Sequence, residues 1–183
     1  DGKTNFAHYF GTMQAGKNFV QAELAATLSR IAEHGVADFY QGDTEKLLVA
    51  QMHRGGGLIT LDDLASYKAG WREPVVTAWR EFKLVTTAPP SSGGIALSQL
   101  LGLKQRRAAD FKGVALNSAQ YVHLIAEIEK RVFADRADYL GDPDFTSVPQ
   151  QQLLEPAYLD KRAREINPKQ LSATEEVKPG LEG

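Results

Sequence analysis

Apolar positions recur every three or four residues along much of this chain, and that spacing predicts helices. Val20, Leu24, Leu28 and Ile31 form one such stripe, on a helix expected to start after Asn18 and to end at His34-Gly35. Asn18 could cap the first unpaired amides, with Gln21 at the capping-box position. A second helix is expected after Asp43, using Leu47, Leu48 and Met52, and stopped by Arg54-Gly55-Gly56-Gly57. Thr60 then caps a short helix over Leu61–Tyr67, with Asp62 and Asp63 in its electropositive first turn. Residues 1–16 have no clean period, but their aromatic side chains suggest a packed or bound stretch.

The pattern changes after Gly70. Val75–Trp79 and Phe82–Thr87 are rich in β-branched and aromatic residues, with only Arg80-Glu81 between them. They are expected to pair as an antiparallel hairpin, although Arg80-Glu81 is a poor turn sequence. Ala88-Pro89-Pro90 ends the second strand. Helical spacing returns over Ile95–Arg107, with Leu97, Leu100, Leu101 and the Lys104 stem on the expected buried face. A longer helix opens at Asn117 or Ser118. Its stripe is Tyr121, Leu124, Ile125, Ile128 and Val132, widened by Phe133, and Gly141 and Pro143 are expected to close it. A last helix is expected near Ala157–Ile166, followed by an exposed polar tail over 172–183.

These elements give an α+β class, mostly helical with one hairpin. Of the 183 residues, 43% are hydrophobic, which suffices for a core. The net charge is −2, so no strong field marks a nucleic-acid binder. Cysteine is absent, which excludes disulfides and thiolate metal sites. No apolar run approaches the ~18 residues of a membrane span, and no basic-then-apolar leader opens the chain.

Two places could hold chemistry. Pro89-Pro90-Ser91-Ser92-Gly93-Gly94 joins a strand to a helix. Its backbone amides could face an anion, and a serine there could be a nucleophile if a base lay within reach. A tight turn with a serine cap accounts for the same residues. Asp135, Asp138, Asp142 and Asp144 suggest a cation site, yet they lack the calcium-loop spacing. An ion-pair and capping network at a helix end explains them too. The histidines at 8, 34, 53 and 123 have no partner at i+3 or i+4.

The order of several short segments narrows the field. Ile31-Ala32-Glu33-His34-Gly35 and Phe39-Tyr40-Gln41-Gly42 come first, then Gly56-Gly57-Leu58-Ile59-Thr60-Leu61-Asp62-Asp63-Leu64-Ala65-Ser66-Tyr67 and Arg72-Glu73-Pro74-Val75. The Pro89–Gly94 loop, Ala134-Asp135-Arg136, Tyr139–Phe145 and Val177-Lys178-Pro179-Gly180 follow. From about Asn18 onward this succession resembles the later part of the large subunit of the γ-glutamyltranspeptidase family.

The resemblance implies an αββα N-terminal nucleophile hydrolase, made as a proenzyme that cuts itself into a large and a small subunit. It implies a γ-glutamyltransferase or glutathione hydrolase, periplasmic or secreted, that needs no cofactor. Some members of the family are acylases for β-lactam side chains. The nucleophile would be the threonine at the head of the small subunit, with its own amine as base. Residues 1–183 would then be a large-subunit fragment whose 172–183 tail leads toward the cleavage site. The partner would be the small subunit. No residue of this chain receives a catalytic, substrate-binding, cofactor or metal role, and Arg72 and Arg136 are not promoted to one. The fragment alone is expected to be inactive, to leave the stripes of Tyr121–Val132 and Leu97–Leu101 partly unpartnered, and to self-associate or be only marginally stable. Two other readings stay open: a non-catalytic scaffold of the same shape, and a serine hydrolase using Ser91 or Ser92.

Overall fold

Val75–Trp79 (β1) and Phe82–Thr86 (β2) pair antiparallel in register Val75↔Thr86 to Trp79↔Phe82 in the computed structural model, which describes residues 5–181. Arg80-Glu81 is therefore a two-residue turn. Arg80 meets its geometry by adopting a left-handed φ of 53° and laying its guanidinium over the Trp79 ring. Trp79 in turn stacks on Phe82. This packing stabilises a turn that its residue types disfavour.

The chain divides into two compact units at the texture change, residues 1–70 and 71–183. The described part of the first is helical: α1 (Phe6–Phe10), α2 (Ala22–His34), α3 (Val36–Gln41), α4 (Asp43–Gly55) and α5 (Leu61–Ser66). The helix expected after Asn18 begins only at Ala22, with Gln21 as a cap that makes no side-chain bond. Its stripe is not buried within this unit: Val20, Leu24 and Leu28 are exposed, as is Leu47 on α4. Val49 and Leu64 are buried in this unit, and so is a polar cluster. Asp38 accepts from Thr44 Oγ1 at 2.5 Å and pairs with Arg30 at 3.4 Å, and both Asp38 and Thr44 are buried. The Thr60 cap forms as expected, as a reciprocal box with Asp63. Gly56 ends α4 in the left-handed conformation.

The second unit places the hairpin against α6 (Gly93–Arg106), which also contacts α7 (Ala119–Tyr139), α8 (Gln150–Leu154) and α9 (Pro156–Arg164). Asn117, at φ 59°, turns the chain so that the Ser118 hydroxyl caps α7 by accepting from the Tyr121 amide at 3.2 Å. Leu124, Ile128 and Val132 on α7 are buried. Ile128 and Val132 join Leu103, Leu159, Ala163 and Ile166 in one core cluster. Val75, Ile95, Leu153 and Tyr158 form a second.

Four expectations are corrected in this unit. The α7 stripe finds its partners within residues 71–181, so it does not wait for another chain. Leu97 and Phe133 are exposed. The buried side of α6 instead runs through Gly94, Ile95, Ser98, Gln99 and Leu103, where an apolar-only reading misses the polar members. Leu140, in an extended conformation, ends α7 in place of Gly141. The tail after Ser172 is not simply exposed: Thr174–Glu176 form an exposed 3-10 turn, but Ser172 and Val177 are half-buried and Gly180 is buried.

Candidate functional site

The strand-to-helix loop is compact and already paired. Ser91 Oγ accepts from Thr87 Oγ1 at 3.1 Å, and Ser92 Oγ accepts from Arg136 Nε at 2.9 Å. Arginine stays protonated in proteins and cannot take a serine proton. Neither serine is therefore a nucleophile with a base. Gly94 is needed here because a Cβ would lie 2.1 Å from the Thr87 carbonyl oxygen. The loop seats α6 on β2.

The aspartates divide into two groups. Asp144 is held by a two-pronged pair with the Arg72 guanidinium, and Asp142 lies 3.6 Å from it. The hydrogen bond from Arg72 holds the Asp144 carboxyl below its ordinary range. Asp135 is fully buried, and four donors converge on it. Its Oδ2 accepts from Gln99 Nε2 at 3.0 Å and from Tyr158 Oη at 2.7 Å. Its Oδ1 accepts from the Gly180 amide at 3.0 Å and pairs with Arg162 at 2.9 Å. Burial, and then the bond to Asp135, push the Tyr158 phenol far up, so it remains a donor. Asp135, Asp142 and Asp144 are occupied by donors, as the ion-pair reading expected, while Asp138 is exposed on α7. Among the described residues no group of three His, Cys, Asp or Glu side chains is placed to hold a metal ion.

Two turns earlier on α7, Glu127 is also fully buried. It pairs with Arg131 at 2.5 Å and Lys130 at 2.6 Å, and it accepts from the Ser172 amide at 3.1 Å and hydroxyl at 2.7 Å. Burial pushes this carboxyl up. The bonds from Lys130, Ser172 and Arg131 outweigh that and hold it at about 2. Glu127, Arg131, Asp135 and Tyr139 stand at intervals of four, so they form one polar ridge along α7.

That ridge grips the C-terminal strap. Arg131 Nη2 donates to Ser172 Oγ at 3.0 Å, Lys130 Nζ to the Ser172 carbonyl at 2.7 Å, and Tyr139 Oη to the Leu181 carbonyl at 2.7 Å. Lys161 on α9 reaches the Gly180 carbonyl at 3.0 Å. Between its two anchors the strap borders a cavity of about 630 Å³. Sequence reasoning singled out Asp135 and the Pro179-Gly180 pair but missed Glu127, Tyr158 and Arg162. The Glu127-Arg131 spacing of four was a usable signal; partners 20 to 45 residues away left none.

The Gamma-glutamyltranspeptidase family profile matches residues 1–181, and the chain belongs to that family. It is 63% identical over 182 residues to the glutathione hydrolase proenzyme of Pseudomonas aeruginosa, covering 100% of this chain and 33% of that protein. It is 40% identical to the glutathione hydrolase proenzyme of Escherichia coli, covering 92% of this chain and 29% of that one. The solved γ-glutamyltranspeptidase of Pseudomonas nitroreducens, in complex with L-DON, superposes with a TM-score of 0.87 at 64% identity, covering 99% of this chain and 54% of that one. The chain thus spans about a third of the length of the curated relatives it matches. Among the described residues no helix is long and apolar enough to cross a membrane.

Proposed function

We propose that this chain is the later part of the large subunit of a γ-glutamyltransferase or glutathione hydrolase. The observation that carries the reading is 63% identity, along the whole chain, to a glutathione hydrolase proenzyme. The proposed enzyme cleaves γ-glutamyl amides, glutathione among them, by acyl transfer. A threonine hydroxyl attacks the amide carbonyl, the amine departs with a proton, and water or an acceptor amine takes the glutamyl group. That threonine belongs to the small subunit, the partner that completes the αββα fold, and no cofactor is needed. The proenzyme cuts itself to expose it, and the enzyme works in the periplasm or outside the cell.

The geometry supports this division of labour. Asp135 and Glu127 are engaged by donors, and Ser91 and Ser92 have no base, so the chain offers structure and leaves the chemistry to its partner. The encoding reading frame tests the proposal. It should continue past Gly183 into a Thr-Thr pair and a small-subunit sequence. A natural stop codon after Gly183 would contradict it.

A further inference from the structure

The strap and the ridge of α7 are matched in register. Glu127 and Asp135 are eight residues apart, and so are Ser172 and Gly180, which they hold. Eight helical residues cover about 12 Å at 1.5 Å each, whereas eight extended ones could cover about 26 Å. The strap therefore has slack, which it takes up in the 3-10 turn Thr174–Glu176. A tail that only needed to be attached could be held once. This one is held at both ends, by carboxylates buried at substantial desolvation cost.

The far end is fixed by three hydrogen bonds. The Gly180 amide is bound by Asp135, the Gly180 carbonyl by Lys161 and the Leu181 carbonyl by Tyr139. Leu181 packs against the cluster around Val75 and Ile95. A Cβ on Gly180 would stand 2.5 Å from Arg162 Cδ and 2.6 Å from Tyr158 Oη, so only glycine fits. Successive peptide groups are thus oriented where the chain runs on toward the expected cleavage point.

We infer that Asp135 and Glu127 are positioning residues for the maturation cleavage, setting through Gly180 and Ser172 the direction in which the chain approaches the scissile bond. This rests on the proposed function, in which the protein is a self-cleaving proenzyme. The cleavage adds one water across one peptide bond, leaving a carboxylate on the large subunit and a free amine on the threonine. Such a reaction needs the attacking hydroxyl within about 3–3.5 Å of its carbonyl, and a 1 Å misplacement can cost about 100-fold. The ridge supplies orientation and takes no part in bond making.

The test uses the full proenzyme and follows conversion of precursor into subunits on denaturing gels. Hydrogen exchange over 172–181 reports whether the strap is held. The matured fraction is assayed for kcat and KM on a chromogenic γ-glutamyl anilide. Asp135→Ala and Gly180→Ala should slow conversion at least about tenfold, while matured enzyme keeps kcat and KM within about twofold. Asp135→Asn should be milder than Asp135→Ala, because its amide oxygen still accepts from Gly180. If Asp135→Ala does not fold, Tyr139→Phe and Ser172→Ala remove single strap contacts and should each slow conversion measurably. Wild-type conversion with a strap that exchanges freely would overturn the inference. So would a kcat loss as large as the loss of conversion. A wild-type protein that never cleaves would instead bring down the functional reading on which the inference rests.

Discussion

Ser172 donates both its amide and its hydroxyl to the single carboxylate of Glu127, at 3.1 and 2.7 Å, across 45 residues of sequence. Three cationic or hydroxyl partners close around a carboxyl with no solvent exposure. Removing its charge would leave Arg131 and Lys130 beside a neutral group inside the unit, which is the costly way to break a buried pair.

This contact makes stability depend on acid. The Glu127 carboxyl sits at about 2 in the folded chain against an ordinary value of 4.5. A depressed folded pKa gives stability that is fully present above the unfolded value and is lost as pH falls through the folded one. Its size is on the order of 3 kcal/mol. Glu127→Gln should therefore lower the melting temperature markedly at pH 7, and the gap from wild type should close as pH falls from 4.5 toward 2. Parallel melting curves across that range would contradict the assignment.

Glycine substitutions test how α6 is seated. Gly94→Ala drives a Cβ into the Thr87 carbonyl and the Thr86 methyl, so α6 must shift off β2. A cost of about 2 kcal/mol or more is expected. Gly55→Ala meets nothing within 4 Å and sits in α4. It should be neutral or stabilising by up to about 1 kcal/mol. Chemical denaturation of the two variants gives the comparison.

The placement of the core is tested by truncation. Ile128 is completely buried, and Ile128→Ala should cost about 2–5 kcal/mol. Leu28, equally prominent in its stripe, is 57% exposed, and Leu28→Ala should change stability by less than about 0.5 kcal/mol. A large loss at Leu28 would place a packed partner on α2.

Long periodic segments were readable from sequence because a helix of many turns repeats its signal. The Ser118 cap, the buried Leu124, Ile128 and Val132, and the hairpin are the clearest instances. The helices Phe6–Phe10, Val36–Gln41 and Gln150–Leu154 have one or two turns and no period to detect. The α2 stripe is apolar but largely exposed, because periodicity reports only that a face is apolar and not that something covers it. At the site, Asp135 was legible as an ion-pairing residue. Gln99, Tyr158, Arg162 and Gly180 converge on it from three other segments, and a contact of that kind leaves no local mark.

The loop serines provide an independent check on the division of labour. With Arg136 on Ser92 and Thr87 on Ser91, neither hydroxyl is activated. A fluorophosphonate probe should leave the folded chain unlabelled. Labelling at Ser91 or Ser92 would revive the serine hydrolase reading.

Release of the chromophore from a γ-glutamyl anilide tests the proposed function most directly. The full protein carrying this segment and its small subunit should release it, and residues 1–183 alone should not. Turnover by residues 1–183 alone, or a fully processed protein that leaves γ-glutamyl amides intact, would contradict it.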